Sequence, residues 1–354
     1  DRFLWVKERP RILICGWAGA GNVGDELLTR SIAQMVIEAG GQPVVASRHP
    51  LATEALHHGV EAVPWGIRTL WAGRSCTGVV VGPGGIIQDS SSIWSLPGHL
   101  LGPIVHRWRG MRVTGIGLGA EPLRRRSSRW MVRRALGGVA PIVRDDESAA
   151  AMALAGVDAV VAPDIAFALS PVVGSQPARE EIVVSVGGAV ASGSFLPAAK
   201  RMVTDDPAEV AASLDTIAER MGLPVAFVSF RGQRDTDFAR LVESEMVTPS
   251  RLIAPSLDDS VVAVARARLV VSSRYHASLV AVQNGVPCVV ISDQAKLRSL
   301  VRQVADVDRI QLVNDWGSMA AIEPAQAVTP YVPIGVDLLL TQVRDLVTRC
   351  SDST

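Results

Sequence analysis

Short valine- and isoleucine-rich runs alternate along this chain with longer stretches whose apolar residues return at helical spacing. A continuous short apolar run is a strand buried on both faces, and only helix crossovers can cover both faces of a sheet. The alternation therefore demands an α/β fold with a largely parallel sheet. In the first half strands are expected at residues 11–15, 43–47, 60–63, 78–81, 112–116, 139–143 and 159–162, and helices at 25–39, 93–109, 127–136 and 146–155. The pattern then restarts. Strands are expected at 182–186, 224–229, 252–253, 269–271 and 287–291, with helices at 207–221, 235–245 and 257–267. Between the halves, residues 170–181 are polar, hold two prolines and show little periodicity, so they read as a linker. A length of 354 residues leaves room for two domains. The sequence thus predicts two Rossmann-like domains, 10–170 and 181–315, facing a central cleft. An amphipathic helix within 326–354 is expected to pack back on them, and residues 1–9 read as an unstructured lead-in.

Lys+Arg and Asp+Glu are both 35, so no global field draws the chain to nucleic acid. Cys15, Cys76, Cys288 and Cys350 are scattered, with no C-x-x-C pair and no His/Cys ligand spacing. Neither a disulfide framework nor a metal site is expected. With no signal peptide pattern and no apolar run of about 18 residues, the expected location is cytoplasmic, at the inner face of the membrane where a basic segment makes contact.

Two glycine-rich stretches follow strands in the first half. Gly19, Gly21 and Gly24 satisfy G-x-G-x-x-G literally, but the turn is long and Asp25-Glu26 put carboxylates where a pyrophosphate would sit. No acidic residue stands at the ribose position near Ser47-Arg48, where Arg48 at best favours a 2′-phosphate; a nicotinamide cofactor is a poor fit. Asp25 and Glu26 are equally suited to capping a helix, or, with Asn22, to binding sugar hydroxyls or acting as a base. Gly82-Pro83-Gly84-Gly85-Ile86-Ile87-Gln88-Asp89 reads as a turn that lets a ligand approach the backbone, making Gly84, Gly85, Gln88 and Asp89 acceptor-side candidates. Gly115, Gly117 and Gly119 repeat the theme after the next strand. Arg144-Asp145-Asp146-Glu147-Ser148 places one cation at a strand end and carboxylates at a helix start, and Pro163-Asp164 is similarly placed. In the second half the turn from Phe230 to Asp237 offers Arg231.

The most informative stretch runs from Val270 to Lys296. A strand ends in Ser272-Ser273-Arg274-Tyr275-His276, a helix follows to Asn284-Gly285, and a second strand runs on to Asp293 and Lys296. In a β-α-β unit, ligands lie beyond the carboxyl ends of the strands, where Arg274, His276 and Lys296 all fall. Only Lys7, Lys200 and Lys296 are lysines, so a lysine here is a deliberate choice of a compact, titratable cation. Between residues 107 and 134 nine arginines stand against Glu121, with Trp108 and Trp130 among them. Residues 124–134 of this run are either a solvated helix face or a peripheral membrane contact for anionic or diphosphate-linked lipid.

Taken together, G-N-x-G-D-E (Gly21 to Glu26), G-x-G-G-x-x-x-Q-D (Gly82 to Asp89), R-D-x-x-S (Arg144 to Ser148), P-D-x-A-F (Pro163 to Phe167) and S-x-R-x-H-A with its trailing G-V-P and lysine (Ser272 to Lys296) resemble the signatures of polysaccharide pyruvyl transferases. The resemblance runs from about residue 12 to residue 301. It implies a GT-B-like fold and transfer of pyruvate from phosphoenolpyruvate, a co-substrate needing no cofactor, to a lipid- or nucleotide-linked sugar of the cell envelope as a ketal. By the same likeness Arg144, His276 and Lys296 match positions for donor binding and catalysis. Tyr275 and Ser292-Asp293-Gln294 depart from the common pattern. On this expectation His276 is the general acid/base, Arg144, Arg274 and Lys296 bind the donor, and Asp25 or Glu26 works on acceptor hydroxyls. The rival readings are a GT-B-type glycosyltransferase with a nucleotide-sugar donor and a non-catalytic binder of anionic saccharides.

Overall fold

The structure, a computed structural model, describes residues 9–90, 92–172, 180–187, 206–292, 294–323 and 328–352. The expected lead-in up to residue 8, most of the linker (173–179) and Asp293 lie outside the described residues. The chain divides into two compact units: Asp1–Ala20 with Asp25–Leu169 and Pro333–Thr354, and Gly21–Gly24 with Ser170–Val332.

In the first unit β1 (Arg11–Ala18), β2 (Gln42–Ser47), β3 (Glu61–Pro64) and β4 (Gly78–Val81) are followed by β5 (Gly84–Ile87), β6 (Arg112–Gly115), β7 (Leu118–Ala120), β8 (Ile142–Val143) and β9 (Val160–Val161). Among the described residues they form a parallel five-stranded sheet, β3-β2-β1-β4-β6, and a parallel four-stranded sheet, β5-β7-β8-β9. The second sheet differs from expectation. The sequence suggests glycine-rich turns after β4 and β6, yet both chains resume as strands two residues on, as β5 and β7. Gly82 allows this by adopting φ +106°, where a Cβ would lie 2.5 Å from the Ile116 carbonyl oxygen. Leu13, Cys15, Val79 and Val81 meet Leu96, Leu100 and Ile104 of the helix Ser95–Trp108 in a shared core. Burial pushes the Cys15 thiol up to about 12, with Cys76 adding to it, so Cys15 packs as a small neutral hydrophobe.

The second unit has β10 (Ile182–Ser185), β11 (Val225–Phe227), β12 (Ser250–Leu252), β13 (Leu269–Ser272), β14 (Cys288–Ile291) and β15 (Ile310–Val313). Its parallel order is β12-β11-β10-β13-β14-β15, so the direction of winding reverses between β10 and β13. In such sheets the crevice for ligands opens outside the carboxyl ends at that reversal. β15 and the helix Trp316–Ala320 have no counterpart in the sequence reading, because four and five residues are too short to show a period.

The amphipathic helix Val336–Ser351 groups with the first unit. It buries Leu339, Val343, Leu346, Val347 and Cys350, and Gln342 Nε2 donates to Thr114 Oγ1 at 2.6 Å on β6. The helix thus completes the core of a unit whose other elements end nearly 170 residues earlier in the chain. Leu339→Ala, at a position with no solvent exposure, is expected to cost about 2–5 kcal/mol in chemical denaturation. A loss below about 0.5 kcal/mol would show that the helix lies on the unit without being part of its core.

Candidate active site

The second unit presents His276 through a short hydrogen-bonded turn. Ser272, wholly buried at the end of β13, accepts from the Arg274 N–H at 2.9 Å and donates to the Arg274 carbonyl at 2.9 Å. Ser278 Oγ donates to the same carbonyl at 3.1 Å. The helix Tyr275–Gln283 therefore begins without freedom in its first turn, and His276 is its second residue, half-buried, with the Tyr275 ring edge-on at 5.2 Å. Residues Gly21–Gly24 group with this unit. The Asn22 side chain accepts from the Gly24 N–H at 3.0 Å, and a Cβ on Gly24 would collide with the His276 ring.

Arg274 is held by a buried carboxylate. Its Nε donates to Asp235 Oδ2 at 2.9 Å, and Nη2 closes a second bond to Oδ1. Asp235 is 1% exposed and also accepts the backbone N–H of Arg231 at 3.0 Å. Beside them Gly187, at the carboxyl end of β10, leaves no room for any side chain against the guanidinium. Arg274 is thus a largely buried cation whose ion pair with Asp235 braces the turn before His276. Arg231 contributes its backbone here while its side chain is exposed. Asp235, within the turn noted from the sequence, is the residue whose pairing the sequence does not show. Its type marks a helix start, but its partner lies 39 residues on, beyond any local signal.

Lys296 is the second residue of the helix Ala295–Val304, which follows β14, and β14 pairs directly with β13. Ser292 Oγ accepts from the Gln294 N–H at 3.1 Å in the intervening turn. His276 and Lys296 therefore both stand in the first turns of helices leaving neighbouring strands, where exposed N–H groups favour anions.

On the first unit, Arg144 lies at the carboxyl end of β8 with its side chain 14% exposed. The R-D-x-x-S pattern acquires a physical meaning here. Asp145 caps the helix Asp146–Leu154 by accepting from the Ser148 N–H at 2.7 Å, and its other oxygen takes Arg144 Nε at 3.2 Å. Ser148 Oγ accepts from the Ala120 N–H at 3.0 Å, tying β7 to the same cap. The guanidinium lies over Gly119, where a Cβ would come within 2.8 Å of Nη2. Pro163-Asp164 plays a structural part: buried Asp164 accepts from the Ala166 N–H at 3.0 Å.

Asp25, half-buried at the start of the helix Val23–Glu38, lies beside Gly84, where a Cβ would stand 3.8 Å from Oδ1. Glu26 is held by protein groups on both oxygens. It is 6% exposed, accepts from the Gly19 N–H at 2.7 Å with one oxygen and meets His57 Nε2 at 3.0 Å with the other, so it braces the glycine turn. Asp89 is likewise held by protein groups. Burial raises its carboxyl, but the N–H groups of Arg125 and Arg124, the Ser128 hydroxyl and the Arg125 charge outweigh this and hold it below the usual range. Gln88 bonds locally to Ser90 and Ser95, and Gly85 is exposed on β5. A cluster not read from the sequence sits at the carboxyl ends of β1, β2 and β3. Trp17 and Trp65 meet edge-on at 5.8 Å, His99 packs on both, and Arg48 lies 4.1 Å over the Trp17 ring. Burial first and Arg48 second push the His99 imidazole down to about 4, against a backbone bond to Gly16, so it is neutral at physiological pH. Among the described residues no group of His, Cys, Asp or Glu is placed to hold a metal ion.

A buried ion pair that has lost one partner is strongly destabilising, since an uncompensated charge remains. Asp235→Ala should therefore cost about 3–5 kcal/mol in urea unfolding, and Arg274→Met in the same chain should restore much of it. Equal losses in the single and double variants would remove the pair from this role.

A family profile described as polysaccharide pyruvyl transferase matches residues 22–294, which includes His276 and stops just short of Lys296. No curated protein sequence matches the chain. Among solved structures, UDP-GlcNAc 2-epimerase from Methanocaldococcus jannaschii is similar at 11% identity and a TM-score of 0.59, over 96% of this chain and 99% of that one. The Neisseria meningitidis UDP-GlcNAc 2-epimerase bound to UDP-GlcNAc gives 9%, 0.58, 96% and 100%, and the S. aureus MnaA–UDP structure 9%, 0.55, 96% and 97%. At such identities the likeness concerns the fold, which is α/β and GT-B-like. With the profile covering well over half of its length, the chain belongs to the polysaccharide pyruvyl transferase family.

Proposed function

We propose that this transferase moves pyruvate from phosphoenolpyruvate to two hydroxyls of one sugar, forming a ketal and releasing phosphate. The observation that carries the proposal is the pairing of a rigidly presented imidazole, His276, with an ammonium, Lys296, on adjacent strand ends of a Rossmann-like sheet. Phosphoenolpyruvate is a small trianion whose enol carbon must be protonated before anything can attack it. Protonation of its methylene gives an oxocarbenium at C2. One sugar hydroxyl adds there and loses its proton. The C2–O bond to phosphate then breaks, a second cation forms, and the second hydroxyl closes the ketal with loss of its proton. One proton is donated to carbon and two are recovered from oxygen, of which phosphate takes one as it departs.

Histidine suits this traffic because its ordinary pKa lies near neutrality, and His276 is assigned the proton transfers. Lys296 is assigned to the donor, as a point charge that neutralises the departing phosphate, supported by the N–H groups of its helix. Arg144 binds an anionic group of a substrate, held ready by Asp145 and Ser148. Asp25 orients or deprotonates an acceptor hydroxyl, with Asn22 beside it in the chain as a further hydrogen-bonding group. No metal or organic cofactor is needed for any of these steps. The acceptor is a nucleotide- or lipid-linked saccharide. Two of the structurally similar proteins contain UDP or UDP-GlcNAc, which favours including UDP-sugars among the ligands tested.

Phosphate release from phosphoenolpyruvate, measured against a panel of UDP-linked and lipid-linked sugars, tests the proposal. His276→Ala should lower kcat by about 10²–10⁴ with an unchanged melting temperature, and Lys296→Met should raise KM for phosphoenolpyruvate. Near-parental turnover by His276→Ala would sink the assignment. Thermal stabilisation by UDP-sugars and none by phosphoenolpyruvate would favour glycosyl transfer instead.

A further inference from the structure

The helix Ser95–Trp108 of the first unit is apolar on both sides. Its inner face is buried through Leu96, Leu100 and Ile104. Its outer face carries Trp94, Leu101 and Trp108 at seven-residue intervals, all exposed, and no charged residue occurs in it before Arg107. Seven residues are two turns, so the three side chains form one stripe. A helix apolar all round is normally covered on all sides, and large exposed apolar patches mark contact surfaces.

The neighbouring elements extend the stripe and add charge. The Arg134 guanidinium lies 5.5 Å above the Trp108 ring, and Trp130, one turn earlier on the helix Arg126–Leu136, is exposed beside it. Arg109 Nη1 donates to the Leu70 carbonyl at 3.3 Å, next to Trp71, over whose ring Arg74 sits at 4.3 Å. Among the described residues, the tryptophans more than half exposed are these four: Trp71 at 66%, Trp94 at 73%, Trp108 at 61% and Trp130 at 55%. From residue 62 to residue 143 there are 11 arginines and two carboxylates, Asp89 and Glu121, a local charge of 11 − 2 = +9 in a chain whose total is zero. Asp89 is buried on the N–H groups of Arg124 and Arg125, so it offers little to the outside.

What covers such a face is decided by its charge. A second copy of the chain would set two cationic faces against each other. Indole rings at the boundary of apolar and polar ground, ringed by arginines, match a layer with an apolar interior and a negative surface. We propose that this face of the first unit docks on an anionic phospholipid bilayer, with the indoles at headgroup depth and the arginines on lipid phosphates. Among the described residues no helix is long and apolar enough to cross a membrane, so the contact is peripheral. A seat of this kind suits an acceptor carried on lipid, but it stands on the surface itself and not on the proposed reaction.

Co-sedimentation of the full chain with vesicles tests this, comparing phosphatidylcholine alone with phosphatidylcholine containing phosphatidylglycerol. Retention is expected on the mixed vesicles, weakening as salt rises, with a blue shift of tryptophan emission. Arg126→Glu with Arg134→Glu should weaken retention at least about tenfold. Trp108→Ala with Trp130→Ala should weaken it at every salt concentration and diminish the blue shift, and circular dichroism should show both variants folded. Equal retention on the two vesicle types, no retention at low salt, or parental retention by the charge-reversed variant would overturn the proposal. So would a dimer in sedimentation velocity that the tryptophan variant dissociates, because a second copy would then be the cover.

Discussion

Asp235, with almost no contact with water, holds the Arg274 guanidinium through two N–H groups, and the turn that presents His276 is built on that pair. Burying two charges costs several kcal/mol each in lost hydration. Mutual attraction offsets this only when the geometry is bidentate and the remaining lone pairs are satisfied. Both conditions are met here, since Asp235 also accepts the Arg231 N–H. The pair joins the ends of β11 and β13 across β10, at the point where the sheet reverses its winding. The backbone that carries the His276 imidazole is then positioned by the sheet. Catalytic groups gain most from such fixed placement, because no reorganisation remains to be done when charge develops.

The first unit uses the same device in a second form. Arg144 is steered by Asp145, which also caps a helix, and Ser148 links that cap to β7. In both units a carboxylate serves a cation and a backbone at once, so the cation's direction is set by secondary structure. Glu26 follows the pattern with different partners, bracing the Gly19 N–H and His57. Several acidic residues of the motifs therefore work as scaffolding, while Asp25 lies beside the backbone of Gly84.

Much of this arrangement was legible in the sequence. Period and length located Gly78–Val81 and Pro207–Met221 to the residue, because an apolar run and a capped amphipathic helix are local signals. The S-x-R-x-H and R-D-x-x-S patterns each fall on a hydrogen-bonded turn at a strand end. What they hid was partnership. The partner of Arg274 is Asp235, 39 residues back, and Asp89 takes two N–H groups from residues 124 and 125. The glycines after β4 and β6 suggested turns because positive φ is a turn signal, whereas here it lets two strands break and resume as a second sheet. The arginine run with Trp108 and Trp130 was visible in the sequence, whereas the exposure of Trp71 and Trp94 was not.

The central claim is that fixed positive groups and one imidazole turn a small, highly charged enol phosphate into a ketal. It is tested most directly by incubating the protein with phosphoenolpyruvate labelled with ¹³C at all three carbons and with candidate acceptors, then analysing products by mass spectrometry alongside phosphate release. The account predicts that all three labelled carbons appear in the acceptor, one pyruvyl group for each phosphate set free. Phosphate released while the label is recovered only as free pyruvate, or sugar transferred with the label untouched, would contradict it.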